Sequence, residues 1–134
     1  MASRDPNRPN IMAILGDDQG YWAMGCAGNR EIQTPHLDRL AASGVRLENL
    51  FCASPVCSPA RATLLTGRIP SHHGVHDWLR AGNSTEEPER GGKLTEYLGG
   101  MTGYTDLLAA QGYVCGISGK WHMGDSHHPQ NDTA

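Results

Sequence analysis

The run Ile11-Met12-Ala13-Ile14-Leu15 does most to limit the folds open to this chain of 134 residues. Five apolar residues follow Pro9-Asn10 without alternation and stop at Gly16-Asp17-Asp18. A half-exposed strand would alternate apolar and polar positions. A short unbroken run instead predicts a strand buried on both faces, as in a parallel sheet covered by helices. The acidic pair then falls at the strand's carboxyl end, where open α/β sheets place their ligands.

The rest of the chain continues in that style. Thr34-Pro35 predicts a helix start, with Thr34 as cap and Pro35 in the first helical position. Leu37, Leu40 and Ala41 share one face, and Gly44 closes the helix. Residues 45–52 read as a strand with a bulge at Glu48-Asn49. A second helix is expected to start near Ser58-Pro59 and stop at Gly67. Residues 82–93 are polar and predict a solvated loop, and residues 93–98 a short helix stopped by Gly99-Gly100. Thr105 is expected to cap a helix carrying Leu107, Leu108 and Ala109 and ended by Gly112. Residues 113–117 read as a further strand. The order strand, helix, strand, helix, helix, strand predicts the α/β class. A chain of this length predicts one small domain, residues 1–134, with residues 1–8 flexible.

Composition excludes several classes of function. There are 11 Lys+Arg against 14 Asp+Glu, a net charge of -3, and no basic stretch that suggests nucleic acid. No run of about 18 apolar residues could span a membrane. The polar, proline-containing start shows no apolar core of a signal peptide. The chain as written is therefore expected in the cytoplasm, or in the periplasm or outside the cell if its N-terminus is processed. Four cysteines at positions 26, 52, 57 and 115 are too few for a disulfide scaffold and suggest free thiols. Asn83-Ser84-Thr85 and Asn131-Asp132-Thr133 match the glycosylation sequon, but two polar loops explain them equally well.

The chemistry concentrates in four places. Asp17 and Asp18 are adjacent carboxylates that repel one another. A hard divalent cation removes that cost and uses their oxygens, although two residues supply only part of a calcium or magnesium shell. An isolated Asp-Asp is more often a solvated turn, and its place after a buried strand shifts the balance toward metal. Cys57-Ser58-Pro59-Ala60-Arg61 puts a thiol before a helix N-terminus, where it feels partial positive charge, and a fixed cation one turn on. The bland alternative is a small buried cysteine before an ordinary helix. Yet C-x-P-x-R should arise by chance in only on the order of one chain of this size in a few hundred. Cysteine-dependent phosphatase chemistry needs an arginine six positions after the cysteine. Position 63 is Thr and position 58 is Ser, so Cys57 and Cys52 both fail. No C-x-x-C pair supports zinc.

Lys120 and His122 lie two apart after the third expected strand, so both would project to one side. Lysine can neutralise an anionic oxygen, and histidine can donate to it or pass a proton. Two polar loop residues around an anchoring Trp121 are the alternative. His72, His73 and His76 cluster just after the second helix, with Asp77 and Trp78 following. Surface loop histidines are commoner than ligand-binding ones, but His73, Asp77 and Trp78 are candidate substrate contacts.

These motifs occur in a recognisable order. Pro9-Asn10-Ile11 with Gly16-Asp17-Asp18-Gln19-Gly20, Thr34-Pro35-His36-Leu37-Asp38-Arg39-Leu40-Ala41 with Gly44-Val45, Cys57 to Arg61, Thr66-Gly67-Arg68, and Gly119-Lys120-Trp121-His122-Met123-Gly124 together resemble the type I, formylglycine-dependent sulfatases. The resemblance covers residues 9 to 124. It implies an alkaline phosphatase-like α/β sandwich with a mostly parallel central sheet flanked by helices, here incomplete. It implies a sulfuric ester hydrolase acting on aryl or carbohydrate sulfate esters. In that reading Asp17 and Asp18 are metal ligands, usually to Ca2+, with Mg2+ as the other option. Cys57 becomes formylglycine, the nucleophile, which as its hydrate also meets the metal. Arg61 steadies the formylglycine, and Lys120 and His122 bind the sulfate and the formylglycine hydroxyls. The partner implied is a formylglycine-generating or anaerobic sulfatase-maturing enzyme.

The resemblance also implies a mechanism. One hydroxyl of the hydrated aldehyde attacks sulfur, and the other collapses back to aldehyde and expels sulfate. The remaining metal ligand pair, an Asp followed by Asn or His, is absent from the sequence, as are a further lysine and histidine. An N-terminal part of a sulfatase is therefore expected, inactive alone. A phosphonate or phosphate diester hydrolase of the same superfamily, and a catalytically inert fragment, are the alternatives.

Overall fold

The computed structural model describes residues 8–79 and 97–123. The expected flexible start, apart from Arg8, and the polar loop at 82–93 lie outside these residues, as does most of the expected helix at 93–98. The chain divides into two compact units, Met1–Glu48 and Asn49–Ala134.

The first unit is built on α1, Pro35–Ser43, with two 3-10 turns before it at Tyr21–Ala23 and Gly25–Ala27. Pro35 opens the helix and Gly44 follows its last residue, as expected. The cap differs. Thr34 occupies the cap position, but its hydroxyl does not bond a helix amide. It accepts from the Gly25 amide at 2.8 Å and donates to Asp38 Oδ1 at 2.9 Å. The same carboxylate accepts from the Cys26 amide at 2.7 Å. The hydroxyl that a cap would spend inside the helix is used to hold the preceding turn onto it. Arg46 adds a further tie by donating to the Cys26 carbonyl and pairing with Glu48. Asp38→Ala would leave the Cys26 amide and the Thr34 hydroxyl without their acceptor. The expected cost is about 1–3 kcal/mol, read as a loss of amide protection at Cys26 in hydrogen exchange.

The second unit is built on α2, Cys57–Thr66, with α3, Pro70–His73, and α4, Tyr104–Ala110, packed against it. Gly67 ends α2 at φ 65, a left-handed conformation that costs glycine nothing. Its amide bonds back to the Thr63 carbonyl at 2.8 Å. Ala62 of α2 forms a small core with Val75 and Met123, and Leu65, Leu79, Tyr97, Leu98 and Trp121 pack around it. The cap of α4 is Gly103 rather than the expected Thr105. Asp106 reaches back to the Gly103 amide at 2.7 Å. A Cβ at position 103 would stand 3.0 Å from the Leu65 carbonyl oxygen, so a side chain there would push α4 and α2 apart by a few tenths of an ångström.

The three expected strands are not formed among the described residues. Residues 11–15, 45–52 and 113–117 are irregular, with a turn at Glu48-Asn49 where the bulge was expected. Their apolar side chains stand in solvent: Met12 is 85%, Val45 87% and Val114 92% exposed. The reason is physical. An apolar pattern states which residues favour burial, but a strand also needs a neighbour to take its amides and carbonyls. No described helix is long and apolar enough to cross a membrane. All four cysteines are thiols.

Candidate active site

The first unit carries the acidic pair. Asp17 and Asp18 are both exposed at the end of the 11–15 segment. Asp18 has φ 54, a left-handed backbone uncommon outside glycine and best tolerated by Asp and Asn. Such conformations persist where surrounding structure over-determines them, and they cluster at ligand sites. The donors are hard carboxylate oxygens, which suit calcium or magnesium and not a soft metal.

The second unit, taken by itself, carries the remaining candidates. Cys57 is the first residue of α2, with Val56 in the cap position. Pro59 is therefore the third helical residue, in the first turn as expected. Its missing N–H is still among the amides that a helix start leaves unbonded. Ser58 and Pro59 are fully buried, whereas Cys57 is half-buried. Arg61 lies four residues after Cys57, hence on the same helix face. Its Nη1 donates to the Lys120 carbonyl at 2.5 Å. The structure thus brings the C-x-P-x-R helix and the Lys-x-His segment together through Arg61.

Lys120 and His122 are not related by strand alternation. Gly119 at φ 108 and His122 at φ 62 take the segment out of extended geometry. The His122 ring is instead fixed by its contacts. Its Nε2 donates to the Leu79 carbonyl at 2.5 Å, and the ring meets Trp78 edge-on with centroids 5.7 Å apart. Because a carbonyl only accepts, Nε2 carries a proton. Nδ1 is buried and has no hydrogen-bond partner among the described residues. A buried polar atom in that state is costly and requires an explanation.

The histidine cluster separates by environment. His73 is 2% exposed. Its Nδ1 accepts from the Val75 amide at 3.1 Å, so Nε2 carries the proton and donates to Thr63 Oγ1 at 3.0 Å. With both nitrogens engaged inside the unit, the ring joins α2 to the turn after α3. Burial holds this imidazole below the ordinary histidine pKa, and the neighbouring His76 adds to the depression. Asp77 and Trp78 are exposed, and Asp77 Oδ1 accepts from the Trp78 amide at 2.7 Å.

Sequence reasoning missed two members of this arrangement. Ser58 Oγ accepts from the Leu79 amide at 3.0 Å, while the carbonyl of the same Leu79 holds His122. Ser58 was legible as a small hydroxyl residue inside the motif. Leu79 makes both hydrogen bonds through its main chain, which leaves no mark in the sequence.

A family model described as Sulfatase matches residues 9–131, nearly the whole chain. The chain belongs to the sulfatase family. Steryl-sulfatase of Homo sapiens is 41% identical over 130 residues, covering 97% of this chain and 22% of the relative. N-acetylgalactosamine-6-sulfatase of Homo sapiens is 40% identical over 133 residues, with 96% and 24% covered. Arylsulfatase A of Homo sapiens is 40% identical over 116 residues, with 87% and 21% covered. The chain therefore spans between a fifth and a quarter of the length of these sulfatases. Membership implies the α/β fold of the family, although the described residues form no sheet.

Proposed function

We propose that this chain is the part of a sulfuric ester hydrolase that carries its nucleophile and half of its sulfate cradle. The observation that supports this best is the Arg61–Lys120 contact at 2.5 Å, which unites two separate motifs of the sulfatase pattern. The relatives' names specify steryl, N-acetylgalactosamine 6- and aryl sulfates, so the chemistry they share is the sulfate ester itself.

In this reading Cys57 is converted to formylglycine by a formylglycine-generating or anaerobic sulfatase-maturing enzyme. Asp17 and Asp18 hold a divalent cation, with calcium the first choice for their oxygens and magnesium the second. The cation, when bound, supplies positive charge that lowers the cost of ionising a hydroxyl and of charge building on the sulfuryl oxygens. Modified Cys57 supplies two hydroxyls on one carbon, the second of which releases the sulfate that a plain serine would retain as an ester.

The chain's own residues do the rest. Arg61 keeps a fixed charge one turn above position 57 and, through the Lys120 carbonyl, sets the loop that presents the Lys120 ammonium. That ammonium stabilises anionic oxygen on the substrate. His122, with its proton on Nε2 committed to Leu79, offers Nδ1 as acceptor for a hydroxyl proton. If the ring is doubly protonated, Nδ1 donates to sulfate instead. Trp78, half exposed beside His122, offers a face for a sugar or aryl ring, and Asp77 a hydrogen-bond acceptor. His73 contributes by holding the turn that carries both.

The test is paired hydrolysis, by the whole protein, of the sulfate and phosphate esters of one phenol, with and without calcium chelation. Faster turnover of the sulfate ester, lost on chelation and restored by calcium, is expected. Asp18→Asn should weaken calcium binding at least about tenfold, since a neutral amide oxygen replaces a charged ligand. Preference for the phosphate ester would move the chain to the phosphodiesterase side of the superfamily. Turnover indifferent to chelation would remove Asp17 and Asp18 from the site.

A further inference from the structure

We propose that Ser58, the residue after the modified cysteine position, is a positioning residue for His122, acting through the main chain of Leu79. This rests on the reading of His122 as part of the sulfate site.

The path has two measured steps. Ser58 Oγ accepts from the Leu79 amide at 3.0 Å, and the Leu79 carbonyl accepts from His122 Nε2 at 2.5 Å. Both polar groups of one residue are thereby tied, one to the start of α2 and one to the Lys-x-His segment. Ser58 is fully buried, so no water competes for its oxygen. Leu79 is packed against the Ala62–Val75–Met123 core, which restricts its movement as a body. The residue therefore transmits the position of position 58 to the imidazole.

The consequence for His122 is tautomeric. A free imidazole exchanges its proton between Nε2 and Nδ1. The Leu79 carbonyl holds the proton on Nε2, which leaves the buried Nδ1, without a partner among the described residues, as a lone-pair acceptor. The Trp78 edge holds the ring against rotation. A left-handed φ of 62 at His122 adds backbone strain that these contacts must sustain. Without the Ser58 hydroxyl, the part-buried Leu79 amide loses its acceptor. The Leu79 main chain then loses its tie to the start of α2, and its carbonyl is no longer held against Nε2. The serine beside the nucleophile thus sets which nitrogen of a distant histidine is basic.

The test uses the whole protein with unmodified Cys57, labelled with nitrogen-15. Two-bond nitrogen–proton correlations of the His122 ring report its tautomer directly. The wild type is expected to show a single Nε2–H tautomer and a protected Leu79 amide. Ser58→Ala should give the averaged pattern of a free imidazole and faster Leu79 exchange, whereas Ser58→Thr, which keeps the hydroxyl, should retain the wild-type pattern. A folded Ser58→Ala chain with the tautomer unchanged overturns the proposal. Should Ser58→Ala not fold, Ser58→Thr decides: an averaged His122 in a folded threonine variant overturns it, and a fixed one supports it.

None of this depends on sulfate turnover, so failure of the sulfatase reading would leave the tautomer result standing. Where the whole protein turns over an aryl sulfate, Ser58→Ala should lower kcat about tenfold with KM nearly unchanged, in the range seen for residues that orient a site ligand from behind. An unchanged kcat would reduce Ser58 to a packing residue.

Discussion

Cys57→Ala in the whole protein is expected to reduce sulfate ester hydrolysis by a factor on the order of 10^4 to 10^6, the range lost when a covalent nucleophile is removed. The proposed chemistry has no other atom at that position to attack sulfur. Arg61, Lys120 and the metal carboxylates would remain, so substrate binding should persist while turnover does not. Cys57→Ser separates two explanations. A serine can accept the sulfuryl group but lacks the second hydroxyl that expels it. Stoichiometric labelling of the serine without turnover is therefore expected, read by mass spectrometry of the peptide containing position 57. Serine turning over at the wild-type rate would show that the modified aldehyde is unnecessary and would remove the formylglycine mechanism. The fold should survive either change, because Cys57 is half-buried and Ser58 and Pro59 carry the burial at this helix start.

His73→Ala is expected to cost the second unit about 2–4 kcal/mol, since it empties a buried site and strands the Val75 amide and the Thr63 hydroxyl. His73→Asn should recover about half of that, because an amide oxygen can replace Nδ1 toward Val75 but nothing reaches Thr63. Denaturant unfolding followed at the Val75 amide checks both. The pH dependence has a definite sign. Burial lowers the His73 pKa in the folded chain below its ordinary 6.5, so the unfolded chain binds more protons in acid. The stabilisation is complete above about pH 6.5 and is lost as pH falls through the lowered folded value. Wild type should therefore lose more stability than His73→Asn between pH 7 and pH 5. Equal losses would mean that the ring is not held neutral by the fold.

Local signals carried the helices. Thr34-Pro35 and Gly44 frame α1, and Ser58-Pro59 and Gly67 frame α2, because starts and stops depend on residues within one turn. The start of α4 was misplaced by two residues because a contact 38 positions away decides it: Gly103 lies against the Leu65 carbonyl. The strands failed for a related reason. The 11–15 run has the right side chains, but a ladder is a property of two segments. The site divides the same way. Asp17-Asp18, Cys57 to Arg61 and Lys120-Trp121-His122 were legible because each motif is contiguous. The Ser58–Leu79–His122 path was not, because its central member acts through backbone atoms that every residue possesses. His73 was noticed for its chemistry, yet its role follows from burial, which no short window around it displays.

The left-handed backbones at Asp18 and His122 limit what mutation can explore at these two positions. A β-branched replacement there would be rejected by the main chain before its chemistry could be tried. Selection among random variants would return asparagine, glycine and aspartate disproportionately, whatever reaction was demanded. Evolution of a new activity on this scaffold therefore has more room at the exposed Asp77 and Trp78 than at the residues nearest the proposed reaction, and substrate range can drift while the reacting centre stays fixed.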